Sequence, residues 1–181
     1  MKTAVIYHSN TGFTKRYAQW VAQASGADCY ELSEAKKKNL TAYEAIIFGG
    51  WACAGGISKL KWFTAHMDMW QDKRLIVFCV GASPADSAEV EAALSQNFNE
   101  AKLKKANLFY CPGGLNYEKM PAPSKLMMKF FIKMLKAKKD KTKDDEIKIS
   151  MLSSSYDISD KKYIVPILNC LNGSCPATDT L

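Results

Sequence analysis

Six consecutive residues, Ser9-Asn10-Thr11-Gly12-Phe13-Thr14, place three hydroxyls, one amide and one glycine between an apolar run ending at Tyr7 and the start of a helical pattern. Hydroxyls and amides are small, neutral hydrogen-bond donors. Just ahead of a helix they add to unpaired first-turn N–H groups and a partial positive charge, a combination that suits a phosphate. Gly12 lets the backbone come close to such a ligand. The run contains no lysine and lacks G-x-x-x-x-G-K-[ST], so it is not a nucleoside triphosphate loop, and its glycine spacing also fails G-x-G-x-x-G. The expectation is a loop that holds one phosphate by neutral donors alone. The plain alternative for a Ser/Thr-rich turn is an N-cap without a ligand.

Two further stretches carry chemistry of the same kind. "GGWACAGGI" follows the apolar run Ala45–Phe48 and holds glycines 49, 50, 55 and 56, which read as a flexible loop. In it Gly50, Ala52 and Gly55 offer backbone contacts, and Trp51 is a platform on which a flat ring can stack, or a side chain packed back on the next helix. Cys53 is placed to touch such a ring, but no base stands beside it to make a catalytic thiol. In "VGASPADSAEV", Gly81, Ala82 and Ser83 supply backbone contacts, and Asp86 or Ser87 caps the next helix. No side chain stands out as acid, base or nucleophile; His8 and His66 read as structural. The six cysteines form no C-x-x-C pair and no Cys/His group at zinc spacing, so no metal site is expected. Cys170 and Cys175 could close a local disulfide or bind a metal, and in a cytosolic chain they read as unpaired thiols.

The elements that must position these residues alternate. Strands are expected over Thr3–Tyr7, Cys29–Leu32, Ala45–Phe48, Leu75–Val80 and Asn107–Cys111; the fourth, continuously apolar, suits a strand covered on both faces. Helical spacing predicts helices over 13–24, 57–69, 87–102 and 124–138, with a weaker one over 161–171. Alternation of this kind means a parallel sheet with crossover helices, whose ligands bind beyond the carboxyl ends of the strands. Sites should therefore follow Tyr7, Phe48, Val80 and Cys111.

With those elements in place, the pattern S/T-x-T-G-x-T directly after an N-terminal strand resembles the FMN phosphate loop of the flavodoxin family. The βα order over residues 1–111 matches that family's sheet. The resemblance implies an α/β, doubly wound, five-stranded parallel sheet with helices on both faces, and FMN as a non-covalent cofactor. It implies that Ser9, Asn10, Thr11, Gly12, Phe13 and Thr14 wrap the phosphate, while Gly50, Trp51, Ala52, Cys53, Gly55, Gly81, Ala82 and Ser83 meet the isoalloxazine. Electron-carrier flavodoxins place a second aromatic at the third strand end; this chain has none between Gly81 and Ser95, which leaves one ring face open to a substrate.

Composition bounds the rest. The 181 residues, 48% hydrophobic and 24% charged, suit one soluble domain over 1–181, with a cytoplasmic default. The net charge of +7 has one address: residues 125–143 hold eight lysines and one acid, and the remainder is balanced. On a helical wheel Leu126, Met127, Met128, Phe130, Phe131, Ile132, Met134 and Leu135 span about 240°, and Lys125, Lys129, Lys133 and Lys136 fill about 80°. Deep burial with one solvated edge explains so wide an apolar arc, and so does a membrane or partner surface. The lysines lack a reading motif, so no nucleic acid is expected. Gly-Gly-Leu-Asn-Tyr followed by this helix also resembles the corresponding segment of flavodoxin-like, menaquinone-dependent protoporphyrinogen oxidases, with lysine where that family carries arginine. The second resemblance implies a quinone-linked dehydrogenase, peripheral on the inner face of a membrane through residues 124–143. The alternative is a soluble flavodoxin that carries electrons between partner proteins.

Overall fold

In the strands, consecutive apolar side chains point to opposite faces, so an unbroken apolar run must be covered on both sides. The computed structural model, which describes residues 1–53, 55–87, 90 and 105–175, places them that way. Strands β1 (Thr3–Tyr7), β2 (Asp28–Glu31), β3 (Ala45–Cys53), β5 (Arg74–Gly81) and β6 (Asn107–Pro112) form a sheet in the order β2-β1-β3-β5-β6. All four pairings are parallel. Ala4, Ile6, Ile46, Phe48 and Val77 face one core with Phe63, Met67 and Trp70, from helix α3 (Leu60–His66) and the 3-10 turn after it. Val5, Ile47, Ile76, Phe78 and Val80 face the other core. There they meet Tyr17 and Val21 of α1 (Phe13–Ser25). The doubly wound α/β architecture follows. The reversal of strand order beside β1 opens a crevice at the carboxyl ends of β1 and β3.

Some elements differ from the sequence reading. Strand β3 does not stop at Phe48. It continues to Cys53 and turns back as an antiparallel hairpin with β4 (Gly56–Ile57), pairing Ala52 with Ile57 and Cys53 with Gly56. The glycine-rich stretch is thus a braced hairpin. Leu32 opens the one-turn helix α2 (Leu32–Ala35) instead of closing β2. Gly114–Leu115 (β7) pairs with Tyr156–Asp157 (β8), a two-residue ladder too short for any sequence period. The helix expected over 87–102 lies, apart from Ser87 and Val90, outside the described residues.

Helix α4 (Ala122–Ala137) carries the lysine edge and has no buried residue. Leu126 and Phe130 are each 70% exposed, which rules out deep burial of its apolar arc. Helix α5 (Lys143–Leu152), absent from the sequence reading, follows immediately. Its start is a capping box: the Thr142 hydroxyl accepts from Asp145 N, and the Asp145 carboxylate accepts from Thr142 N at 3.0 Å. Lys138 Nζ also donates to Asp145, at 3.0 Å, and ties the end of α4 to α5. The Thr142 backbone bond, seconded by Lys138, holds the Asp145 carboxyl down at about 2. Its folded value lies below the ordinary one, so the latch contributes stability above about pH 4 and loses it as pH falls toward 2. A carboxyl NMR titration should place the Asp145 midpoint near 2 and move it upward in Lys138→Ala. An ordinary midpoint in the intact protein would mean the latch is absent.

The C-terminal segment returns to the core. Tyr17 Oη donates to Pro112 O at 2.6 Å and accepts from Asp160 N at 3.1 Å. Helix α6 (Val165–Leu171) adds Ile167 and Leu171 to the second core, where burial pushes the Tyr17 phenol far up. Cys170 and Cys175 are joined as a disulfide, which corrects the expectation of free thiols: the turn after α6 brings their Cα atoms to 3.8 Å. Cys79 and Cys111 are buried thiols, the first pushed by burial up to about 12, and behave as small apolar side chains.

Candidate functional site

Strand β1 ends at Tyr7, and His8 N donates to Gly49 O at 2.9 Å, so the first loop starts against β3. Ser9 Oγ accepts from Gly12 N at 3.2 Å and closes the turn from behind. Gly12, at φ 104°, is the N-cap of α1 and has no side chain with which to cap it. The first-turn amides of α1 therefore keep their donors for a ligand. Asn10, Thr11, Phe13 and Thr14 line a cavity of about 540 Å³ at the carboxyl ends of the strands, a size typical of small-molecule sites.

The same cavity is bordered by Trp51, Ala52, Cys53 and Gly55 from the β3–β4 hairpin, and by Gly81 and Ala82 after β5. The structure thus brings ten of the fourteen candidate residues to one chamber. The other four stand apart from it. Ser9 shapes the loop, and Gly12 borders a separate surface cavity together with Lys15, Arg16 and Lys119. Gly50 is buried within β3, and Ser83 faces a second chamber. Neutral donors face the ligand cavity, while the cations approach the loop from its outer side. Arg16 there is paired with Asp157 and Ser159.

Hydrogen bonds hold the hairpin wall. Ser58 Oγ accepts from Trp51 N at 3.1 Å and lies 3.2 Å from His8 Nδ1. Burial lowers the His8 pKa, and the nearby Lys59 ammonium lowers it further, which favours the neutral ring beside the first loop. Trp51 Nε1 is buried and has no hydrogen-bond partner among the described residues. An unpaired buried donor costs free energy unless something supplies an acceptor. Here the indole borders the chamber. A chamber with an orphaned ring N–H, apolar walls and a donor-rich loop at one end fits a flat ligand that carries one phosphate.

The remaining wall escaped the sequence reading of the site. Leu115, Met120, Met127, Met128 and Phe131 line the chamber. Phe131 also borders the second chamber, about 620 Å³, next to Ser83. The stretch after Gly81 lacks an aromatic of its own, and helix α4 brings one to the site instead. The available signal was the width of the α4 apolar arc, which exceeds what one packed face needs.

A family model described as "Flavodoxin domain" matches residues 4–142. No curated protein matches the chain in sequence. Among solved structures, a flavodoxin, WrbA-like protein from Agrobacterium tumefaciens is 25% identical over 65% of this chain and 87% of its own, with a TM-score of 0.49. The Trp repressor binding protein from Bacillus subtilis is 20% identical over 64% and 85%, at 0.47. A flavoprotein in complex with FMN from Lactobacillus acidophilus NCFM is 18% identical over 61% and 91%, at 0.41.

Proposed function

The chain belongs to the flavodoxin domain family, with FMN as its cofactor, and from that premise we propose that it is an FMN-dependent oxidoreductase serving a quinone-like small molecule at an anionic membrane surface. One observation carries the reading. Helix α4 lines the chamber with Met127, Met128 and Phe131, and it leaves Leu126, Phe130 and Met134 exposed beside its lysines. A carrier that only docks on proteins has no need of an apolar wall on one side of a helix and an apolar, lysine-edged surface on the other.

Bound FMN supplies electron transfer at its isoalloxazine ring, while the protein positions it and sets its surroundings. Thr11, Thr14, Asn10 and the first amides of α1 would hold the phosphate. Trp51 offers a ring face at the border of the chamber. Met127, Met128 and Phe131 would give the ring an apolar wall. Purified protein should bind FMN well ahead of riboflavin, since the loop's donors act on the phosphate; equal affinities in a titration would contradict the assignment. FMN should also quench tryptophan emission, and Trp51→Ala should remove most of that quenching. Full quenching in the variant would place Trp51 away from the ring.

The membrane part has its own test. Four edge lysines near an anionic surface supply about 1 kcal/mol each, which alone gives roughly millimolar affinity. Leu126, Phe130 and Met134 can add insertion. Co-sedimentation with anionic vesicles should be partial, reversible and weakened by salt, and Phe130→Asp with Met134→Asp should abolish it. Among the described residues no helix is long and apolar enough to cross a membrane. Equal, negligible pelleting with anionic and neutral vesicles would leave the soluble electron carrier as the better reading.

A further inference from the structure

Ser58, in the turn between β4 and α3, ties together segments that meet beside the first chamber. Its Oγ accepts from Trp51 N at 3.1 Å, and its own N donates to Trp51 O at 2.9 Å. Both main-chain polar groups of Trp51 are thus held by Ser58. Trp51 borders the chamber, and Gly50 beside it lets Ser58 approach: an added β-carbon there would meet Ser58 O at 2.7 Å. On its other side the Ser58 hydroxyl lies 3.2 Å from His8 Nδ1, at the start of the first loop. A hydroxyl has one proton to give. With a lone pair engaged by Trp51 N, that proton has His8 Nδ1 as its acceptor, and no other acceptor pairs with it among the described residues. Nδ1 is then bare, and the ring proton sits on Nε2. The surroundings favour that neutral ring: burial lowers its pKa, Lys59 lowers it further, Glu31 opposes and Lys36 lowers it again.

We propose that His8 is a positioning residue for the cofactor: by accepting the Ser58 hydroxyl it fixes the turn that holds Trp51 at the edge of the ring site. FMN in the first chamber, with its ring against Trp51, is the reading on which this rests. His8 couples the two halves of that site. Its main chain is pinned to Gly49 of β3 at 2.9 Å, and its ring is pinned to Ser58. The loop that would take the phosphate and the hairpin that would take the ring therefore keep a fixed spacing. A hydroxyl that donates also becomes a better acceptor, which strengthens its bond from Trp51 N. Without the His8 acceptor, the Ser58 hydroxyl is free to turn and the hairpin loses its tie to the first loop.

The test is titration of the full chain with FMN and, separately, with riboflavin. His8→Phe removes the acceptor and should weaken both flavins equally, about 5-fold, as expected for one lost hydrogen bond. Equal loss marks the ring end of the site, since a phosphate contact would affect FMN alone. His8→Asn places an amide oxygen at the δ position of the ring and should restore both affinities to within twofold. Adding His8→Phe to Ser58→Ala should cost nothing further, because the bond is already gone, whereas a purely steric role for the ring would add its own loss. Ring-nitrogen NMR shifts of the FMN-loaded protein should show His8 protonated at Nε2 and bare at Nδ1. Should His8→Phe prove unstable, His8→Ala removes the same acceptor. A proton on Nδ1, unchanged flavin affinity without the acceptor, or additive losses in the pair overturns the proposal. The FMN titration of the intact protein and the quenching lost in Trp51→Ala decide the cofactor and its platform independently, so the failures are distinguishable.

Discussion

Thr11→Val with Thr14→Val weakens FMN by about 10²-fold to 10⁴-fold and leaves riboflavin nearly unaffected. Each hydroxyl bonded to a charged phosphate is worth about 1.5–3 kcal/mol, and tenfold in affinity corresponds to about 1.4 kcal/mol. Valine is chosen because Thr14 is 1% exposed and a smaller side chain would also open a hole in the helix packing. The paired measurement matters more than either value. A variant that lost both ligands equally would have a damaged chamber, whereas loss of FMN alone assigns the hydroxyls to the phosphate. Unchanged FMN affinity would move the phosphate to the outer side of the loop, where Lys15 and Lys119 stand.

Gly114→Ala should cost about 2–6 kcal/mol of stability. Gly114 has φ 140°, a conformation that L side chains rarely adopt, and strain of that kind costs about 1–3 kcal/mol. An added β-carbon would also collide with the main-chain carbonyl of Tyr156 on the paired strand β8. Backbone cannot swing aside as a side-chain tip can, so overpacking adds about 1–3 kcal/mol. Gly26→Ala is the control: φ is 69° there and nothing lies within 4 Å of the new carbon, so strain acts alone. Chemical denaturation of the two variants separates strain from collision. Equal midpoints would mean that β7 and β8 are not held together as described. A loosened β8 would also release Tyr156 from Ala82, so cofactor affinity should fall along with stability.

The sheet and the first loop were legible because their signals are local. Residues 75–80 carry an unbroken apolar run, and a strand covered on both faces demands one. The residue types of the loop before α1 suit a cap or an anion, and the structure places Asn10, Thr11, Phe13 and Thr14 at the chamber. The chamber wall supplied by α4 was not legible in that way. A helical wheel sorts Met127 and Phe131 together with Leu126 and Phe130, because periodicity reports hydrophobicity and not which neighbour a side chain meets. Only the packing of α4 across the strand ends shows which of these residues border the chamber, and Met127 and Phe131 do so while remaining partly exposed. Helix α5 was missed because its apolar residues are few, although the Thr142–Asp145 cap was present in the sequence. The ladder of β7 with β8 has no signature, since two residues cannot show alternation. Cys170 and Cys175 are close because of a turn, and cysteine spacing alone does not decide between thiols and a bond.

Tyr17 makes the order of assembly unusual. Its hydroxyl meets Asp160, which lies 143 residues further along the chain. Ile164, Ile167 and Leu171 fill the core beside it. A ribosome adds about 5–20 residues per second, so helix α1 waits on the order of 10 s before the segment that covers it has been made. During that interval Val5, Tyr17 and Val21 lack their final cover, and a nascent chain in that state is a natural client for a chaperone. Contacts so distant in sequence also make closure of this face slow compared with the local pairing of β3 and β4.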